Sequence, residues 1–351
     1  METSTAPAKA SPPLRWHKQV PTGFLAALGL SAAFVTFVAW DQKHWWQAKE
    51  DYTFGWLVPL FTAYAVYDRW PQIVARLREA ATNGVSVRWA RLTLNSLAVF
   101  SLVCGSLLFL LGAFYRAGAG ASHPGTFALT LGMVGIVLPL IFFNVPATTT
   151  GGEAVSGGFR LAALWEDARV RVTVLFLFPV LVWLISAPLV SAVETRVSLF
   201  LLRKVVTVVA FSFDLLGFPL EQQGNVLMLP KGPVGVADAC SGIRSLTACL
   251  FAGSFLGAMF LDKLWKKIFL VAAAMCFAFL MNLGRSLFLT GWAYAYGPDA
   301  ISGFVHDAAG YAVLGLTCVG LLALVPLLNL KIERFETAED ADAFADDNRA
   351  E

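Results

Sequence analysis

Long apolar runs recur along almost the whole chain, and this recurrence constrains the fold more than any single motif does. A run of about 17 to 25 apolar residues is long enough to cross a hydrocarbon core as a helix, since each residue adds roughly 1.5 Å. Eight such runs stand at approximately Pro21 to Trp40, Phe54 to Tyr67, Leu92 to Tyr115, Thr126 to Phe143, Val172 to Val190, Ile243 to Leu261, Ile268 to Trp292 and His306 to Leu328. The second is short and carries Pro59. With 57% of the 351 residues hydrophobic and 14% charged, the balance excludes a soluble enzyme. The expectation is an all-α integral membrane protein of about eight transmembrane helices. Lys9, Arg15 and Lys18 give the first run the basic flank of a signal peptide. Its length and the lack of a small-residue cleavage site argue for a retained anchor.

Lys and Arg resist translocation and collect in short cytoplasmic loops, which sets the expected orientation. With the N-terminus inside, the cytoplasmic segments hold sixteen bases and the short outer loops three, namely Lys43, Lys49 and Arg116. Both termini are therefore expected in the cytoplasm. The organisation reads as a cytoplasmic tail 1–20, a transmembrane domain 21–330 with an outer insert at 191–240, and a tail 331–351. That last tail holds eight acids against three bases and too little apolar surface to offset its ordering entropy. Basic residues elsewhere are scattered between apolar runs and form no stripe, so nucleic acid is excluded as a partner and the lipid bilayer takes its place. The loop 144–171, with Thr148-Thr149-Thr150-Gly151-Gly152, suggests no chemistry.

The insert reads as two pieces. Residues 195–216 are apolar but interrupted by Arg203 and Lys204, which suggests a helix in the outer interface, with a ninth span as the rival. From Gly217 to Ala239, short β-prone runs alternate with turn signals at Gly224-Asn225 and Pro230-Lys231-Gly232-Pro233, predicting a small hairpin. In its last strand Val234, Val236, Asp238 and Cys240 share one face, so the strand delivers Cys240 to the outer mouth of the sixth span.

Of five cysteines, Cys104, Cys249, Cys276 and Cys318 fall inside predicted spans and Cys240 alone lies outside. With no second outer cysteine, neither a disulfide nor a zinc site of paired cysteines is expected. Asp238-Ala239-Cys240-Ser241-Gly242-Ile243-Arg244-Ser245 puts that sulfur at a helix N-terminus. There the unpaired N–H groups and the nearby Arg244 favour a thiolate and can hold an oxyanion. The plain alternative is a helix cap built from Ser241 and Gly242. Arg285 lies inside the seventh span, one turn after Asn282, and an arginine in lipid is buried with a partner or a task, or snorkels. His44 and His123 fall in short outer loops with no polar cluster evident, whereas His306 begins the eighth span at the level of Cys240 and Arg285. Nucleophile, base and cationic oxyanion stabiliser are the parts acyl transfer requires.

On these residues the sequence resembles the exosortase/archaeosortase family of multi-pass membrane cysteine transpeptidases. Ala239-Cys240-Ser241-Gly242-Ile243-Arg244-Ser245 looks like its nucleophile motif, Asn282-Leu283-Gly284-Arg285 like its Asn-x-x-Arg motif, and His306 like its histidine at the last span. The early Tyr52-Thr53-Phe54-Gly55-Trp56-Leu57-Val58-Pro59 extends the likeness, with Phe54 where many members have histidine. The resemblance implies catalysis by Cys240, Arg285 and His306, supported by Asp238, Ser241, Gly242, Arg244 and Asn282. Its substrates would be exported proteins ending in a recognition motif, a transmembrane helix and a basic tail. The thioester would be resolved by an amine acceptor or by water, and no cofactor is implied. Three rivals stay open: a transporter whose anion path is lined by Arg244, Asn282 and Arg285, a non-catalytic scaffold of export machinery, and an acyltransferase using His306 or Ser241.

Overall fold

The computed structural model describes residues 20–82, 88–146, 162–189, 191–235 and 243–329. Helix α1 (Thr22–Ala48) leads through a 3-10 helix (Glu50–Leu57) into α2 (Val58–Thr82), α3 (Arg88–Ala119), α4 (His123–Asn144), α5 (Ala162–Glu166) and α6 (Ala168–Ser186). The insert follows as α7 (Ser191–Leu215), β1 (Glu221–Gln223), β2 (Val226–Leu229) and β3 (Gly232–Gly235). Then come α8 (Ile243–Phe260), α9 (Leu264–Tyr296), a 3-10 turn (Pro298–Ile301) and α10 (Phe304–Asn329).

The chain is an all-α integral membrane protein with one small outlying sheet. Among the described residues six helices, α1, α3, α4, α6, α9 and α10, are long and apolar enough to cross a membrane. The helices standing for the second and sixth expected spans, α2 and α8, are not among the six. Past its apolar first half α2 carries Asp68, Arg69, Arg76, Arg78 and Glu79, and α8 contributes a shorter apolar helix, Ser245–Phe260.

Close approach and proline gaps organise the first bundle. A Cβ on Gly105 of α3 would fall 2.5 Å from the Gly135 backbone of α4, so glycine lets these two helices touch backbone to backbone. Pro139 of α4 has no N–H for the Gly135 carbonyl, and Ser101 Oγ of α3 donates to that oxygen at 3.2 Å. Pro179 of α6 likewise orphans the Leu175 carbonyl. Arg69 fills that gap, Nη1 donating to Leu175 O at 2.7 Å while Nη2 donates to Ala258 O of α8 at 3.2 Å. These two carbonyl partners satisfy the charge inside the bundle. Phe24, Tyr52, Ile73, Met133, Ile141 and Trp183 fill the core around these contacts.

In the insert, α7 turns Leu202, Val205, Val206, Val209 and Phe213 inward, at helical spacing, against Leu227, Leu229 and Val234 of the sheet. Though 25 residues long, it is not among the six helices apolar enough to cross a membrane, and Arg203 and Lys204 are exposed, away from its packed face. The sheet has three antiparallel strands in the order β1-β2-β3 rather than the two of a hairpin, with Leu227 opposite Val234. The first turn is made at Gly224, whose φ of 64° suits glycine. The face expected to run from Val234 to Cys240 is followed only to Gly235, because residues 236–242 lie outside the described residues, as do the loop 147–161 and the acidic tail.

Candidate active site

Helix α9 is 33 residues long, about 50 Å at 1.5 Å per residue, against roughly 30 Å for a hydrocarbon core. It continues past Trp292 because nothing breaks it until Gly297, whose φ of 99° ends the helix. Lys231 at the β2–β3 turn donates to the Ala295 carbonyl and ties the sheet to that end. Arg285 is therefore roughly 16 Å from the end of its helix, deeper than the distance to Trp292 suggests. Asn282 belongs to the buried stripe of Ala274, Ala278 and Ser286, while Arg285 is half-buried on the neighbouring face toward α10. They share a turn, but not one surface as the spacing suggested.

The short connector 297–303, bent at Gly297 and Gly303, brings the first turn of α10 back beside α9. Arg285 Nη2 lies 2.8 Å from His306 Nε2 and also donates to the His306 carbonyl at 3.3 Å. A guanidinium only donates, so His306 Nε2 accepts and the neutral ring carries its proton on Nδ1. Three of the five guanidinium N–H groups are uncommitted among the described residues, and Nε is buried without an acceptor. No carboxylate pairs with Arg285 among these residues, whereas Arg76, Arg116, Arg169 and Arg171 each have one. A partly buried cation without a counter-ion is a preformed receptor for negative charge.

Helix α8 approaches this pair. Gly253 of α8 packs on Val271 and Ala274 of α9, and Gly257 on Lys267. Carried along the antiparallel axes, that register sets Ile243, the first described residue of α8, level with Asn282. The early motif braces the same helix: Thr247 Oγ1 donates to the Asp51 carbonyl at 3.1 Å, and Phe54 meets Phe251 with ring centroids 5.3 Å apart. Phe54 thus has a packing role. Gly55 is required for close approach, since a Cβ there would fall 2.1 Å from Nε1 of the buried Trp46. The Tyr52 hydroxyl accepts from the Leu189 N–H at 3.0 Å, and burial pushes its pKa up to about 12. Asp238, Cys240, Ser241 and Gly242 lie outside the described residues, and Arg244 is described only as backbone in the first turn of α8. The structure thus brings Arg285 and His306 together and leaves the cysteine motif unplaced.

A second polar cluster escaped the sequence. Asp41 and Gln42 are fully buried in α1, which runs past its expected end at Trp40. Asp41 accepts from Thr126 Oγ1 at 2.5 Å and faces Arg116 Nε at 3.2 Å. Gln42 Nε2 donates to Thr130 Oγ1 at 2.8 Å, and Ser186 Oγ donates to Gln42 Oε1 at 2.8 Å. His123, expected to be isolated, stacks on Trp45 at 4.3 Å and lies 2.6 Å from Ser191 Oγ. The available signal was the pair Thr126 and Thr130, one turn apart on a helix that has to lie in lipid. Among the described residues no three His, Cys, Asp or Glu side chains gather as a metal site.

Comparison with known proteins adds the family. No curated protein and no solved structure matches the chain. The family model described as transmembrane exosortase matches residues 45–323, from the end of α1 into α10 and over well more than half of the chain. The match spans the early motif, the cysteine segment and the Arg285–His306 pair, and the chain belongs to the transmembrane exosortase family.

Proposed function

We propose that the chain is a membrane-embedded cysteine transpeptidase or protease. It would remove C-terminal sorting signals from exported proteins at the outer face of the bacterial inner membrane. The observation that carries this reading is the Arg285–His306 pair, a cation with no carboxylate partner among the described residues beside a neutral imidazole, where α9 and α10 meet. Family membership supplies the reaction class, since transpeptidation of sorting signals is what the family is associated with.

In this mechanism the Cys240 thiol passes its proton to His306, and the resulting thiolate attacks the scissile carbonyl, whose π electrons move onto oxygen. The uncommitted N–H groups of Arg285 and the N–H groups at the start of α8 receive that oxyanion. Collapse breaks the C–N bond and forms a thioester, and the leaving amine takes a proton relayed by His306. Water or an amine acceptor then gives up a proton to the imidazole and attacks the thioester, releasing the thiolate. Arg285 also fixes the ring tautomer through its bond to Nε2, so His306 has to exchange that contact for the reacting proton during turnover.

The membrane frame belongs to the same proposal. Helix α8, with 18 residues, is about 27 Å long and close to the thickness of a hydrocarbon core. Arg69 of α2 is masked by two carbonyls. Counting both gives eight spans, with both termini in the cytoplasm as the basic loops require. The test is mass spectrometry of protein C-termini in the native host, wild type against Cys240→Ala. Proteins sharing a C-terminal motif, helix and basic tail should keep that tail only in the variant. Unchanged C-termini at a normal level of the variant would turn the account toward transport or scaffolding.

A further inference from the structure

Helix α7 (Ser191–Leu215) buries one face and exposes the other. Its buried side packs with the sheet and with Phe279, Leu283 and Leu287 of the spanning helix α9. On the opposite side Arg196, Phe200, Arg203, Lys204, Thr207 and Phe211 are exposed. Arg196, Phe200, Arg203 and Lys204 fall within an arc of about 100°, so three cations surround one ring. Lys204 Nζ lies 5.8 Å from the centroid of that ring. Among the described residues no carboxylate pairs with these three cations. Glu194 is taken by Lys49 at 2.9 Å, and Asp214 stands three turns beyond Arg203, roughly 16 Å along the helix. We propose that this face of α7 binds anionic phospholipid in the leaflet on the insert's side, its cations on the phosphates and Phe200 and Phe211 among the upper acyl chains. Binding of this kind is independent of the transpeptidase reading and of which side of the membrane carries the insert.

The height of the helix fits this occupant. Its first turn is fastened to the ends of two spans, Ser191 Oγ lying 2.6 Å from His123 Nδ1 at the start of α4 and Glu194 accepting from Lys49 just after α1. With 22 residues, α4 is about 33 Å long and little more than crosses a hydrocarbon core. His123 therefore stands at the headgroup layer, and Arg196 follows one turn into α7. The chemistry fits as well. Basic residues interleaved with aromatic rings on one face suit a helix lying in a charged interface, where the rings enter the acyl boundary and the cations meet phosphate. Each Lys or Arg near an anionic surface strengthens attachment about fivefold. Free inorganic phosphate would satisfy the cations but leave Phe200 and Phe211, 61% and 66% exposed, in water. A spanning role for α7 would strand three unpaired cations in hydrocarbon.

The test is native mass spectrometry of the full-length protein in neutral detergent, titrated with phosphatidylglycerol or with phosphatidylcholine, which carries the same phosphate beside a compensating ammonium. Wild type should hold phosphatidylglycerol about tenfold or more the tighter of the two. Replacing Arg196→Gln, Arg203→Gln and Lys204→Gln together should bring the two lipids within about threefold, while the melting temperature in detergent hardly moves. Equal retention of both lipids by wild type would overturn the assignment, and so would an undiminished preference in the folded triple variant. If the triple variant does not fold, a photoreactive side chain at Thr207 of the otherwise wild-type chain in native membranes decides the matter. Adducts with phospholipid would support the assignment. Adducts only with another protein or with a second copy of this chain would overturn it.

Discussion

Arg169 and Arg285 are both arginines of apolar helices, and their surroundings differ in kind. Near the start of α6, Arg169 donates from Nε and Nη2 to Asp167 at 3.0 and 2.8 Å and from Nη1 to Asn95 at 2.8 Å, and lies over the Phe142 ring at 4.4 Å. Every polar edge of that guanidinium has a partner, as a group serving only the fold requires. In the α9–α10 cleft, Arg285 commits one nitrogen to His306 and, among the described residues, leaves Nε buried without an acceptor. The first site is complete without a ligand. In the proposed function the second receives an acceptor that arrives with the reaction.

Substitutions can break or sharpen this contrast. The largest effect is expected at the cleft: His306→Ala should lower tail removal about 10²- to 10⁴-fold, and Arg285→Gln about 10²- to 10³-fold. Quantitative C-terminal proteomics reads both losses, and melting in detergent should move little for either. Arg169→Gln should do the reverse, costing about 3–5 kcal/mol by stranding Asp167 while the rate per folded molecule stays near wild type. If Arg285→Gln unfolded the protein and Arg169→Gln spared it, the contrast would be inverted. At the early motif, Gly55→Ala should cost about 1–3 kcal/mol through its clash with Trp46, seen as a lower melting temperature. Arg69→Met should cost about 0.6–2 kcal/mol, the range for a polar contact between membrane helices. Thermal unfolding would expose it as a loosening of α2 from α6 and α8. Smallest is Phe54→Leu, about 0.5–1.5 kcal/mol from the lost Phe251 ring contact, with activity retained once the melting shift is allowed for.

Much of the helical frame was legible because apolar length acts locally. The early and late runs became helices, and Arg285 and His306, placed at one level by the order of the runs, meet between α9 and α10. What the sequence concealed depends on neighbours. No periodicity reveals that Arg69 answers the proline gap at Pro179, because that gap matters only once α2 lies beside α6. Asp41 and Gln42 looked like the edge of a span, since a buried carboxylate is affordable only with Thr126 and Arg116 at hand. The third strand was missed because Glu221–Gln223 is polar and fully exposed, held by its register against Val226–Met228 rather than by its own apolar surface. Asn282 and Arg285, one turn apart, differ in surroundings because three residues of helix turn about 300°, which puts Asn282 in the core and Arg285 toward α10.

The central claim is that a thioester forms on Cys240 within reach of the Arg285–His306 pair. It is tested most directly by capturing the enzyme from native membranes at low temperature and mapping the peptide that contains Cys240 and Ser241 by mass spectrometry, with and without hydroxylamine. The account predicts an acyl adduct on Cys240 that hydroxylamine releases and whose mass matches the shortened end of an exported protein. An adduct on Ser241, or continued tail removal by Cys240→Ala, would contradict it.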